Sequence, residues 1–168
     1  QDVDLGLRPI KDLDFLPRKF AQKTQHDLAG ASLKLDRAEQ THQLILKDVA
    51  EFLESHGYEP LMSESIDIAL DLQSTRVICE IKSATKENFE KQFQTGVSQI
   101  KMYEFAMKTE SNPEVIPVLI IENPSDASID LDSIAGFCDF ICCRLFLWDA
   151  NIDQKLRFEG LLKTLASL

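Results

Sequence analysis

Asp67, Glu80 and Lys82 are the residues of this chain whose types and spacing best suit chemistry. They sit in two apolar runs, Ile66–Leu72 and Arg76–Lys82, joined by the polar link Gln73-Ser74-Thr75. Runs of this length and composition read as strands, and the short link reads as a hairpin turn. Centring the turn on Gln73 and Ser74 sets Asp71 opposite Arg76, Leu70 opposite Val77, Ile68 opposite Cys79 and Ile66 opposite Ile81. One face is then wholly apolar. The other carries Asp67 directly opposite Glu80, with Lys82 further along the same side. A slip of one residue would destroy this pattern. Two facing carboxylates repel each other. A hard divalent cation offsets that repulsion, because Mg²⁺ takes one or two carboxylates and leaves its other positions to water and phosphate. The backbone carbonyl of Ile81 lies between Glu80 and Lys82 and offers a further oxygen. The same residues also read as a plain salt bridge, Lys82 with Glu80 or Asp67 on a solvated face. Spacing alone leaves both readings open.

The surrounding elements must position this hairpin. Residues 36–56 have a helical pattern, with His42, Ile45, Leu46, Val49, Phe52 and Leu53 recurring at three- and four-residue spacing and Gly57 as the stop. A helix is expected over 86–108, ended by Ser111-Asn112-Pro113, then a buried strand over 115–122. A short helix at 131–136, a strand over 137–148 and a terminal helix over 153–168 complete the order. The expected fold class is α/β, a central mixed β-sheet flanked by α-helices. Residues 1–35, punctuated by Pro9 and Pro17, read as an irregular lead-in packed on the 36–168 domain through Leu13, Phe15, Leu16 and Phe20.

Asp67 followed by Glu80-Ile81-Lys82 resembles the Asp…(Asp/Glu)-x-Lys signature of the PD-(D/E)xK nuclease superfamily, with Ile66 where the proline of the signature would stand. Gln99 and Tyr103 on the following helix resemble the Gln-x-x-x-Tyr motif of its RecB-like branch. On a helical wheel Phe89, Phe93, Val97, Ile100 and Met107 form a core stripe, and Gln92, Gly96, Gln99 and Tyr103 run beside it. Many members place an acidic residue on the helix before the Asp strand, a part open here to Glu39 or Glu51. His42 lies beside Glu39 and reads first as a boundary residue of the apolar stripe, with an accessory role at the site as the alternative. The resemblance spans residues 39–122 and implies a restriction-endonuclease-like core that hydrolyses phosphodiester bonds with Mg²⁺ or Mn²⁺. Asp67, Glu80 and the Ile81 carbonyl would hold the metal and Lys82 would orient the attacking water. Gln99 would position Lys82 or a phosphate, and Tyr103 would meet the substrate. The implied partner is nucleic acid, with DNA favoured over RNA, in defence or repair.

Composition pulls the other way. With 28 acidic against 18 basic residues the formal net charge is −10, whereas nucleic-acid binders usually carry a basic footprint. Recognition is therefore expected to need a partner subunit, a flanking domain or a homodimer. Two rivals follow: a catalytically silent nuclease-fold domain that binds nucleic acid or protein, and a structural interaction domain. No apolar run spans a bilayer and no signal peptide is visible, so a membrane role is not expected. Cys79, Cys138, Cys142 and Cys143 lack zinc-finger spacing and read as buried free thiols of a cytoplasmic protein.

Overall fold

The computed structural model describes residues 6–10, 28–108, 114–153 and 157–167. Six strands lie side by side in chain order: β1 (Arg8–Pro9), β2 (Leu61–Met62), β3 (Ile68–Leu72), β4 (Thr75–Lys82), β5 (Glu114–Glu122) and β6 (Arg144–Trp148). β1 to β4 pair antiparallel, whereas β4–β5 and β5–β6 pair parallel. The described helices are α1 (Leu28–Ser55), α2 (Phe89–Met107), α3 (Leu131–Phe140) and α4 (Glu159–Ala166). This is an α/β fold with a mixed sheet covered on both faces.

Strand alternation assigns the two faces. Ile68, Leu70, Val77, Cys79, Ile81, Val118 and Ile120 pack with Ile45, Val49 and Leu53 of α1 and with Leu161 and Leu165 of α4. Ala69, Ile78, Leu119 and Ile121 pack with Phe89, Phe93 and Ile100 of α2 and with Cys138 of α3. Because both faces are buried, the middles of the central strands are apolar on both sides, as a helix-covered sheet requires, and the charged residues stand towards their ends. Asp48 of α1 ties β6 to the residue Arg157 that precedes α4: its Oδ2 accepts from Trp148 Nε1 at 2.7 Å and from the Arg157 guanidinium, which also lies over the Trp148 ring.

Several boundaries differ from the sequence reading. α1 begins at Leu28, inside the expected lead-in, and Leu13, Phe15, Leu16, Pro17 and Phe20 lie outside the described residues. The two-residue strands β1 and β2 had no sequence signal. α3 runs on to Phe140, and only Arg144–Trp148 is strand. The apolar stretch 137–148 fits either period, and the positive φ of Cys142 (52°) turns the chain between the two elements. Cys79, Cys138 and Cys143 are buried free thiols, while Cys142 is exposed.

Candidate active site

The hairpin has the expected register from Leu72↔Thr75 to Ile68↔Cys79, and there the ladder stops. Ile66 does not pair with Ile81. Its carbonyl accepts instead from Ser63 N–H at 3.1 Å, and Ser63 Oγ accepts from the N–H groups of Ser65 and Ile66. This tight polar turn swings Ile66 into the α2-side core, away from the face expected of it. Ile81 N–H consequently loses the main-chain acceptor that a longer ladder would supply. Asp67 replaces it: Oδ2 accepts from Ile81 N–H at 2.8 Å. A buried donor left without a partner costs about 1–3 kcal/mol, so this side chain completes the sheet as well as charging it.

Asp67 and Glu80 are both buried, at 1% and 4% exposure. Asp67 Oδ2 also lies 3.3 Å from His42 Nε2 of α1, and Lys82 Nζ lies 2.7 Å from Glu80 Oε1. Burial and then the Asp67 charge raise the Glu80 carboxyl, Lys82 and His42 pull it back, and the balance leaves it at about 7. Burial, then Asp67, likewise pushes the Cys79 thiol up to about 12. Two carboxylates are thus held close in a dry site with only partial compensation from their cations. Hard oxygen donors under mutual repulsion are the donor chemistry that Mg²⁺ or Mn²⁺ accepts, so Asp67 and Glu80 are the side chains that could hold such an ion. Among the described residues no group of three or more His, Cys, Asp or Glu side chains forms a metal cage, so a carbonyl or water would complete any shell.

α2 crosses directly above. A Cβ added to Gly96 would stand 2.6 Å from Leu119 Cδ1 and 3.1 Å from Lys82 Cγ, so the missing side chain lets the helix settle on the Lys82 stem. Gly96 belongs to the buried stripe Phe89, Phe93, Gly96, Ile100, Met107, while Val97, expected in that stripe, is half-buried. Gln99 and Tyr103 are half-buried on the same helix, and Gln99 Oε1 is a buried atom with no hydrogen-bond partner among the described residues. Glu39 is half-buried and accepts from Gln43 Nε2 at 2.9 Å. Glu51 is exposed near the far end of α1, 3.6 Å from Lys47, and is not brought to the site.

The parallel side contributes residues that the sequence did not flag. Glu122, ending β5, accepts from Ala84 N–H at 2.8 Å and from Arg37 of α1 at 2.6 Å. Arg37, Thr85, Lys86, Glu122, Asn123 and Asp149 line a cleft of about 370 Å³ at the carboxyl ends of β4–β6, where open α/β sheets commonly bind ligands. Only the long-range pairing of α1 with the sheet reveals Arg37 as a neighbour of this edge, and the same pairing brings His42, an accessory candidate in the sequence, to Asp67.

No described helix is long and apolar enough to cross a membrane. No family model and no curated protein matches the chain. Among solved structures it is similar to an XisH family protein from Nostoc punctiforme, at 17% identity and a TM-score of 0.47, over 62% of this chain and 89% of that one.

Proposed function

We propose that this protein is a metal-dependent nuclease of PD-(D/E)xK type, hydrolysing phosphodiester bonds in nucleic acid, with DNA the favoured substrate. The observation that carries this reading is the burial of Asp67 and Glu80 together at the end of β4 with Lys82 beside them. Structural ion pairs seldom place two carboxylates in one dry site, because each raises the proton affinity of the other. Held by Asp67, Glu80 and the Ile81 carbonyl, Mg²⁺ or Mn²⁺ would lower the pKa of a bound water and neutralise charge on the phosphate. The chain's own residues set the geometry. Ile81 N–H and His42 fix the Asp67 carboxylate. Gly96 and Leu119 confine the Lys82 stem, leaving its ammonium to move between Glu80 and a phosphate oxygen, where it stabilises developing negative charge. Gln99, with its unpartnered buried oxygen, orients Lys82 or the substrate, and Tyr103 meets the substrate along the same helix.

One observation favours the silent binding module instead: each carboxylate already has a basic neighbour, His42 for Asp67 and Lys82 for Glu80. Cleavage of mixed DNA and RNA substrates with Mg²⁺ or Mn²⁺ separates the two readings. The expected result is metal-dependent cleavage that collapses in a folded Lys82→Ala variant. Unchanged turnover in that variant, or full activity in excess chelator, overturns the mechanism; no cleavage at all by the parent favours the silent module.

A further inference from the structure

The amino-terminal half of α2, the loop 128–130 and α3 enclose a cleft of about 570 Å³. Its walls are apolar, formed by Phe89, Phe93, Ile129, Ile134 and Phe137. Phe89 and Phe93 are buried, whereas Phe137 meets Phe93 edge-on at 6.1 Å and remains 46% exposed. A single exposed aromatic ring is ordinary. One that lines an apolar cleft of this volume marks a surface that another molecule completes.

The rim is acidic. Glu90 and Asp130 stand on it, with Lys86 the cation among the described lining residues. A second cleft of about 560 Å³ adjoins the first through Ser128, Ile129 and Asp130. It adds Asp126 and Asp132, and no Lys or Arg is among its described lining residues. Asp126 accepts from the Ser128 N–H at 2.8 Å and its Oγ at 2.6 Å, and Asp130 from the Ser133 N–H at 3.0 Å and its Oγ at 2.7 Å. The Ser128 hydroxyl above all holds the Asp126 carboxyl below its ordinary range, and the Ser133 N–H does the same for Asp130, so both stay charged at neutral pH. A small ligand is fixed by a few convergent polar groups, but these polar groups already satisfy one another. What they offer a visitor is negative potential. Four carboxylates around one lysine repel a polyanion and attract Lys or Arg. An apolar wall beside such a field is the complement of an amphipathic segment that carries cations next to an apolar anchor.

We infer that the α2–α3 cleft docks a basic, amphipathic segment of another protein, its apolar anchor against Phe93 and Phe137 and its cations against Asp126, Asp130 and Asp132. This goes beyond the nuclease reading and does not depend on it. Such a partner would also bring the positive charge that a chain of net charge −10 lacks. The test is fluorescence anisotropy at physiological salt with a labelled helical peptide of Leu and Lys. The parent is expected to bind it at least about tenfold more tightly than the same peptide with Glu for Lys. Phe137→Ser, at an exposed position, is expected to weaken binding about tenfold with an unchanged thermal midpoint. Glu90→Lys combined with Asp132→Lys is expected to weaken it at least as much. Glu51→Lys combined with Glu54→Lys makes the same change of net charge on exposed residues near the far end of α1. That pair is expected to leave binding within about twofold, because charges beyond a Debye length are screened. Equal weakening by the two pairs reduces the effect to attraction by an acidic chain and overturns the proposal. Binding untouched by Phe137→Ser, a Glu peptide that binds as tightly, or no binding of the Leu and Lys peptide overturns it as well. A single-stranded DNA oligonucleotide that binds the parent and is lost in Phe137→Ser gives the cleft to nucleic acid. A parent dimer in ultracentrifugation that Phe137→Ser dissociates gives it to a second copy. Either result overturns the assignment.

Discussion

Replacing Glu80 by Gln in the metal-free protein should stabilise it at alkaline pH and lose that advantage in acid. The folded-state pKa of Glu80 lies above its ordinary 4.5, at about 7, with burial the largest cause and the Asp67 charge the next. A raised carboxyl pKa means the folded chain holds this proton more tightly than the unfolded chain does. Stability contributed by Glu80 is therefore greatest below 4.5, declines as pH rises from 4.5 to about 7, and stays low above that. At about 1.36 kcal/mol per pH unit the whole decline is about 3 kcal/mol. Glu80 is almost wholly buried, so solvent screens little of it. Gln keeps the shape and cannot ionise. It forfeits the charge-assisted bond to Lys82, a loss that offsets part of the gain at alkaline pH without reversing its pH dependence. The stability difference, variant minus parent, should thus grow by about 1–3 kcal/mol between pH 4.5 and 8. For a domain of this size that is roughly 2–12 °C of melting midpoint. Parallel thermal melts in chelator across that range provide the assay. A difference that is flat with pH, or that grows towards acid, refutes the reasoning, since an ordinary exposed salt bridge would give the latter.

Three further outcomes are expected. Millimolar Mg²⁺ or Mn²⁺ should raise the parent's midpoint by roughly 2–6 °C, because a ligand at tenfold its Kd adds about 1.4 kcal/mol. Asp67→Asn and Glu80→Gln should each abolish that rise, and a parent midpoint indifferent to both metals would remove the site's main physical support. Gly96→Ala should destabilise by about 1–3 kcal/mol through overpacking, measured by urea denaturation, and should impair cleavage by displacing Lys82; a variant equal to the parent in both shows that Leu119 and Lys82 yield freely. Asp48→Ala should cost about 3–5 kcal/mol, because the largely buried Arg157 guanidinium loses its carboxylate, and a shift below about 1 kcal/mol would mean the clasp is solvated.

The hairpin was legible because its alternation is strict: Leu70, Val77 and Cys79 go to one core and Ala69 and Ile78 to the other, with Asp71 and Arg76 paired at 2.5 Å beside the turn. The end of the ladder was not legible. Ser63 folds the chain back with its own hydroxyl, a local polar turn that leaves the apolar pattern of Ile66 intact while changing where that side chain points. Periodicity predicts faces only where the strand persists. α2 and its Gln99–Tyr103 spacing were readable from one helix. The neighbours Arg37 and Glu122 are separated by about half the chain, and His42 was readable as an accessory candidate but fitted an apolar stripe better. Their placement depends on how α1 lies across the sheet, which no local signal encodes.

The location of the polar cluster follows from the same interruption. β4 is the strand where the sheet changes sense, with antiparallel β3 on one side and parallel β5 on the other. At its carboxyl end β3 has already stopped, so Ile81 N–H must be satisfied by a side chain, and Asp67 is the one that reaches it. On the parallel side β5 reaches the same level, and Glu122 takes Ala84 N–H in the same manner. Each carboxylate fills a gap left by missing main-chain pairing, and each has drawn a basic residue from α1, His42 to Asp67 and Arg37 to Glu122. Glu80 differs: its strand pairing is complete through Leu119, and its hydrogen-bonded cation is Lys82 from its own strand. Asp67 and Glu122 therefore have structural reasons to be acidic that would hold without any catalysis. Glu80, buried against a second carboxylate at a cost in stability, has no such reason, and that makes it the strongest single residue in the case for chemistry at this edge.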